Sequence, residues 1–439
     1  MKRIFMYRLL LPVLLLFTAS FAQQPGTDAL SLKEVIKLTL ENHPLLKQKQ
    51  DELRAAQFRV EQQKSFYFPN ISAQLSYTRI GPIPAFSFGG QNLELAPGNN
   101  YNFGVFVNQT LYDFGKRDLQ VDVSSSFLTS IKDNEELVKN DLSIQAVRAF
   151  YGILFIERSL AVKDTQYAAL QEHLRITELK IKNGTATDYD VLSTKTKMLE
   201  IKNEKIDLLN EKNKQELFLK ELIGQDRNKE LYITGTFELP ENTLNSDSLL
   251  NAAYNQRPEL KMVKDARTSA NLQKGLISQI DKPTLSGSLG YGFKNGFEPN
   301  IEVLRGNWFA NVSLGIPIFN GKLTENKINE SNAVLDASES KIEQVKQSIS
   351  TEVYQAEADL KSSMTKISST AEQIDYAGKS LERAKLQYER GVGTNLEVLD
   401  AETSLTQARL FNIQAVYKSI VSYYSVCRAV GDLDKLRGR

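Results

Sequence analysis

"YDFGK" at residues 112–116 and "IFNGK" at residues 318–322 are two copies of one turn, with Gly115 and Gly321 in register at an offset of 206. Outward from this turn the duplication continues. Gly184 finds Gly391 at an offset of 207, and His43-Pro44 and Phe68-Pro69 find Arg257-Pro258 and Lys282-Pro283 at an offset of 214. Each copy reads as a short helix, a pair of strands, a very long polar helix and a medium helix. One duplicated unit therefore accounts for nearly the whole chain, and function belongs to the assembled unit.

Beside each turn lie runs that alternate apolar with small or polar residues, the period of a strand. Ile71, Ala73, Leu75 and Tyr77 interleave with Ser72, Gln74, Ser76 and Thr78; Tyr101, Phe103, Val105 and Val107 interleave with Asn102, Gly104, Phe106 and Asn108, where Phe106 is the one misfit. The second copy sets Leu285, Leu289, Tyr291 and Phe293 against Ser286, Ser288, Gly290 and Gly292, and Trp308, Ala310, Val312, Leu314 and Ile316 against Asn311, Ser313 and Gly315. The runs predict strands at 70–80, 101–113, 284–294 and 308–318, about ten residues each, which is the length of a tilted membrane-spanning strand. Aromatics gather toward their ends, as an interfacial girdle requires. A soluble hairpin with one buried face is the alternative. Leu75, Val105, Leu289 and Val312 are assigned to lipid, and Ser76, Asn108, Ser288 and Asn311 to a lumen. Residues 81–100 and 294–307, rich in Gly, Pro and Asn, read as exposed loops.

Between the strand pairs, 119–182 and 323–389 contain no Pro and predict two helices of about 100 Å each at 1.5 Å per residue. In the second, Ile342, Val345, Ile349, Val353, Ala356, Leu360, Met364, Ile367, Ala371, Ile374, Ala377, Leu381, Ala384 and Tyr388 form a seam of period near 3.5, the coiled-coil repeat. Shorter helices at 45–68 with 187–222, and at 258–282 with 395–430, sum to about the same lengths, so two short helices stack to match one long one. Residues 223–245 read as a linker at mid-height. The box Ser31 to Glu34 starts the first helix.

Residues 1–22 combine Lys2, Arg3 and Arg8 with an apolar core from Leu9 to Phe17 and end Ala-Ser-Phe-Ala, the pattern of a cleaved secretory signal peptide. Without them, 51 Lys and Arg face 53 Asp and Glu, a net charge of −2. That balance excludes a nucleic-acid binder. His43 and His173, the two histidines, and the single Cys427 leave no metal-ligand set, no disulfide and little material for catalysis. No P-loop, dinucleotide fingerprint or nucleophile elbow is present. The sequence reads as a non-enzyme, with no cofactor, no catalytic residues and no metal site.

Signal peptide, duplication, strand pairs and long helices, with the turn segments "IKNGTATDYDVLSTK" (181–195) and "YERGVGTNLEVLDAE" (388–402), resemble the TolC-like outer-membrane efflux protein family, the outer-membrane factors. The resemblance covers essentially all of the mature chain. It implies an α+β membrane protein in the outer membrane with a periplasmic extension: a homotrimer giving four strands per chain to one β-barrel, continuous with a coiled-coil α-barrel and an equatorial belt. The first repeat then spans 23–222, the linker 223–245, the second repeat 246–431 and a tail 432–439. It implies a passive exit duct for efflux or type I secretion, engaged by a periplasmic adaptor and an inner-membrane transporter. It places a periplasmic aperture at Asp190, Tyr388, Glu397 and Asp400, with Tyr388 bonded to Asp190, and Gly393 standing where the family often has an Arg. It assigns adaptor docking to Gly184, Thr185, Ala186, Thr187, Gly391, Val392, Gly393 and Thr394. Read without the resemblance, Glu397 and Asp400 fit solvated helix charges, and the tip residues fit simple turns. A soluble periplasmic coiled-coil adaptor or scaffold is the competing reading of the whole chain.

Overall fold

The computed structural model describes residues 29–239 and 246–432; the expected signal peptide and nearly all of the expected tail lie outside them. Four strands, β1 (Asn70–Arg79), β4 (Asn99–Tyr112), β5 (Thr284–Lys294) and β6 (Arg305–Gly315), pair antiparallel in the order β1-β4-β5-β6. The last ends three residues short of its expected range, where Pro317, with no N–H, cannot extend a ladder, and it begins three residues early. The stretch 81–100 is more than a loop. It holds a hairpin of β2 (Ala85–Phe88) and β3 (Gln91–Glu94) around Gly89 and Gly90, both at positive φ as tight hairpin turns demand.

The register sorts the two faces. Leu75 lies opposite Phe103, Phe103 opposite Phe293, Val105 opposite Tyr291 and Tyr291 opposite Trp308, so one face is a continuous apolar and aromatic surface. Leu75 is 84% exposed and Val312 70%, uncovered among the described residues. Asn70, Asn108, Ser288 and Asn311 line up across the other face, as do Ser72, Phe106, Gly290 and Phe309. Phe106 and Phe309 are therefore neighbours on the polar side, their ring centroids 6.1 Å apart, and a Cβ on Gly290 would sit 2.3 Å from Phe309 Cε1. The misfit in the alternation is an aromatic pair filling the space above a glycine.

Below the sheet stand four rods. α3 (Lys116–Lys182) and α7 (Leu323–Glu389) are continuous at 67 residues each, about 100 Å. α2 (Pro44–Ser65) and α4 (Asp188–Ile223) share one rod, α6 (Pro258–Ser278) and α8 (Asn395–Val430) another, with α1 (Leu32–Asn42) and α5 (Ser246–Gln256) where those rods are interrupted. Near the sheet the packing order is α2-α3-α6-α7; toward the far end it is α4-α3-α8-α7. Interrupted and continuous rods thus alternate. Paired Lys-carboxylate bridges, Lys163 to Glu204 at 2.6 Å and Lys212 to Glu157 at 2.9 Å, lace α3 to α4.

The apolar core is concentrated at the interruptions. Phe150, Ile153, Leu142 and Val147 of α3 meet Val35 and Ile36 of α1, Leu219 and Leu222 of α4, and Ile420 of α8; a second cluster joins Leu249 and Ala253 of α5 to Ile349 and Val353 of α7 and Val426 of α8. Asn42 donates to the Ile223 carbonyl at 3.0 Å, and Arg257 to the Ala429 carbonyl at 3.4 Å, so each break is bridged by a side chain reaching the last carbonyls of the rod below. The seam on α7 slips at two expected positions, Met364 and Ala371, each exposed while the residue before it is more buried. Ser363 is 4% exposed where Met364, 48% exposed, was the expected contact, because a 3.6-residue helix drifts off a 3.5 repeat unless it supercoils throughout.

Candidate functional site

At the end far from the sheet, two helix-turn-helix tips lie side by side, each built by the same local chemistry. α3 ends in a left-handed residue, Gly184 at φ 72, with Gly184 N–H donating to the Ile181 carbonyl and Thr185 N–H to the Lys180 carbonyl. α7 ends the same way at Gly391, φ 79, through bonds to the Tyr388 and Gln387 carbonyls. This double closure satisfies the last carbonyls, and the left-handed position favours glycine. α4 and α8 then begin with reciprocal capping boxes, Thr187 with Asp190 and Thr394 with Glu397.

Those boxes employ two of the expected aperture carboxylates. Asp190 accepts from Thr187 N–H at 2.9 Å and Thr187 Oγ1 at 2.8 Å; Glu397 accepts from Thr394 N–H at 2.8 Å. The expected Tyr388 to Asp190 bond is replaced. Tyr388 donates to Thr177 Oγ1 at 3.1 Å, and Thr177 in turn donates to the His173 carbonyl at 3.0 Å, because Asp190 is already turned back to its cap. Glu397 and Asp400 remain exposed on one face of α8 and share with Lys379 and Arg383 of α7 a groove of ≈ 770 Å³. Gly393 abuts the end of α7, where a Cβ would fall 2.9 Å from Gln387 Cβ. A side chain there would press on the Gln387 and Tyr388 backbone at the end of α7.

Behind the tips is a buried cluster. Asn395 donates through Nδ2 to the Asp190 carbonyl at 3.2 Å and to Ser193 Oγ at 3.0 Å, and its Oδ1 lies 2.6 Å from His173 Nε2. With Nδ2 occupied as donor, Oδ1 is the acceptor and Nε2 carries the proton. His173 also rests against the Tyr388 ring at 5.0 Å between centroids, and Lys180 lies over the same ring at 4.9 Å while bonding the Glu389 carbonyl at 3.2 Å. Burial holds the His173 imidazole below its ordinary range; the Asn395 bond and the Asp190 charge oppose this and Lys385 adds to it. Neither His173 nor Asn395 carries a periodic signal, so the sequence had nothing to join residues 222 apart. Exposed apolar side chains flank the turns, Tyr189 and Leu192 on one and Val392 and Leu396 on the other. Tyr189 and Leu396 stand at the same offset as the glycines, a repeat that could have marked them.

A profile for the family described as outer membrane efflux protein matches residues 35–225 and 249–431. The chain belongs to that family. This outer membrane efflux protein is 22% identical over 415 residues to Protein CyaE of Bordetella pertussis, across 93% of this chain and 85% of that one. It is 20% identical to outer membrane protein TolC of Vibrio cholerae, across 76% of this chain and 77% of the relative. In fold it is similar to CusC, whose crystal structures concern transmembrane channel formation, with a TM-score of 0.80 at 19% identity over 94% of this chain and 95% of that one. The protein is an outer-membrane efflux channel component, resident in the outer membrane with a periplasmic extension. Membership displaces the reading as a soluble adaptor.

Proposed function

We propose that three copies close head to tail into one duct, a twelve-stranded barrel above a twelve-rod tunnel, through which solutes delivered by an inner-membrane transporter and a periplasmic adaptor leave the cell. The carrying observation is that sheet, upper rods and lower rods are all four wide and open on the same two sides. One side presents β1, α2 and α4; the other presents β6 and α7. Unlike edges facing one another make a heterologous contact, which closes as a ring. Four strands cannot close a barrel, eight leave an interior filled by side chains, and twelve leave a water-filled bore. In that ring the face of Leu75, Val105, Leu289 and Val312 meets lipid and the face of Ser76, Asn108, Ser288 and Asn311 meets water.

The tips then form the periplasmic mouth. Three-fold symmetry turns Glu397 and Asp400 into two carboxylate rings, and Gly184, Thr185, Ala186, Thr187, Gly391, Val392, Gly393 and Thr394, with exposed Tyr189 and Leu396 beside them, form the surface an adaptor hairpin engages. The duct is passive and takes its energy from the partner. Purification in detergent with native mass measurement, followed by planar-bilayer recording, tests this. Three protomers and discrete conductance steps are expected; a monomer that conducts nothing overturns it.

A further inference from the structure

Resting on the reading of the tips as the mouth of a duct, we infer that His173 and Asn395 form an acid-releasable clasp that holds the two tips of each protomer together. The geometry isolates this pair. His173 is 4% exposed on α3, and its hydrogen-bond partner Asn395 is the first residue of α8, itself pinned to the Asp190 carbonyl and Ser193 of α4. With Tyr388 of α7 against the imidazole and α4 held through Asn395, the four helices of the tip are joined through this one pair. The Asn395 side chain is committed in this arrangement, its amide to two acceptors and its oxygen to His173 and, at 3.4 Å, Thr194. A second proton on the imidazole goes to Nδ1, creating a buried cation.

The surrounding charges decide the sign. From α7, Lys385 faces the ring and repels a second cation; from α4, the Asp190 carboxylate attracts it; on α3 itself, Lys180 covers the neighbouring Tyr388 ring. From α8, Glu402 is bound to Lys385 at 3.5 Å, and burial raises its carboxyl above the usual range. The imidazole's proton affinity is lower in the packed cluster than in water, so packing is fully favoured above the ordinary histidine range and loses favour as pH falls through it. Every tenfold by which packing weakens proton binding yields about a tenfold gain for the loosened tip once the ring is charged. Glu402 acts oppositely, its protonation favouring the packed state.

The test uses the full-length protein in detergent and in planar bilayers. With only two histidines, ring-carbon NMR of wild type and His43→Gln assigns His173 directly. Its midpoint should lie below that of His43 in unfolded protein. Conductance in a Glu402→Gln background, which removes the opposing titration, should rise severalfold as pH falls through the histidine range, and His173→Gln, able to bond Asn395 but unable to charge, should flatten the rise. A His173 midpoint at or above the ordinary value, or the same acid rise in His173→Gln, overturns the clasp. Absence of any conductance at every pH sinks the duct reading instead, while the NMR midpoint still decides the clasp.

Discussion

At the tips, one side chain serves two masters. Glu397 closes the capping box of α8 and at the same time presents charge to the groove it shares with Asp400, Lys379 and Arg383. Its two roles separate by substitution. Glu397→Gln keeps the cap, since a glutamine amide serves the box as well, and removes the charge; Thr394→Ala keeps the charge and removes the cap, costing about 1 kcal/mol. In the proposed trimeric duct, carboxylate rings select cations. Glu397→Gln with Asp400→Asn is expected to shift the reversal potential toward zero in a salt gradient while melting stays near wild type. An unmoved reversal potential would remove both residues from the constriction. Tyr388 was legible as a tip residue from its place before the second turn, but its partner was not: the capping chemistry of Thr187 claims Asp190 and leaves Tyr388 to Thr177.

At the scale of elements, the strands were legible because period-two alternation is a property of a strand with two unlike surroundings, and the long helices because Pro is absent over spans that begin at Gly115 and Lys322 and end before Gly184 and Gly391. The β2–β3 hairpin was missed and read as loop: the Gly89-Gly90 pair marks its turn, but its strands are too short for alternation to stand out. On the sheet, Leu75→Arg should destabilise the proposed barrel by about 2–4 kcal/mol near the bilayer midplane, with Ser76→Arg milder. Urea titration of the protein in lipid vesicles compares the two, and equal costs would refute the assigned faces. Between α3 and α6, burial together with a hydrogen bond to Asp265 raises the Asp133 carboxyl to about 6, against opposing Lys261 and Lys132. A raised carboxyl stabilises its packed state below the ordinary Asp range and loses that contribution as pH rises through about 6. Thermal melting of wild type should therefore fall between pH 5 and 7 relative to Asp133→Asn; parallel profiles would exclude the shared proton.

For the whole molecule, the open sides are as informative as the core. Along α4, Leu192, Leu199 and Ile206 recur at seven-residue steps, all exposed among the described residues, a stripe with the coiled-coil repeat. In the proposed ring it faces α7 of the next copy. Leu199→Lys with Ile206→Lys should leave the monomer's helical circular dichroism intact and abolish the trimer in sedimentation; a trimer of wild-type stability would place the contact elsewhere. The alternation of rods has a mechanical consequence. α3 and α7 carry torsion uninterrupted from the sheet to the tips, whereas the other two rods are cut at the waist and pinned there by Asn42 and Arg257. A twist applied at the mouth is therefore spread as slight bending over about 100 Å of the uncut rods, while the cut rods swivel about their pins. The strands at the top, fastened by their own ladder, need not turn at all.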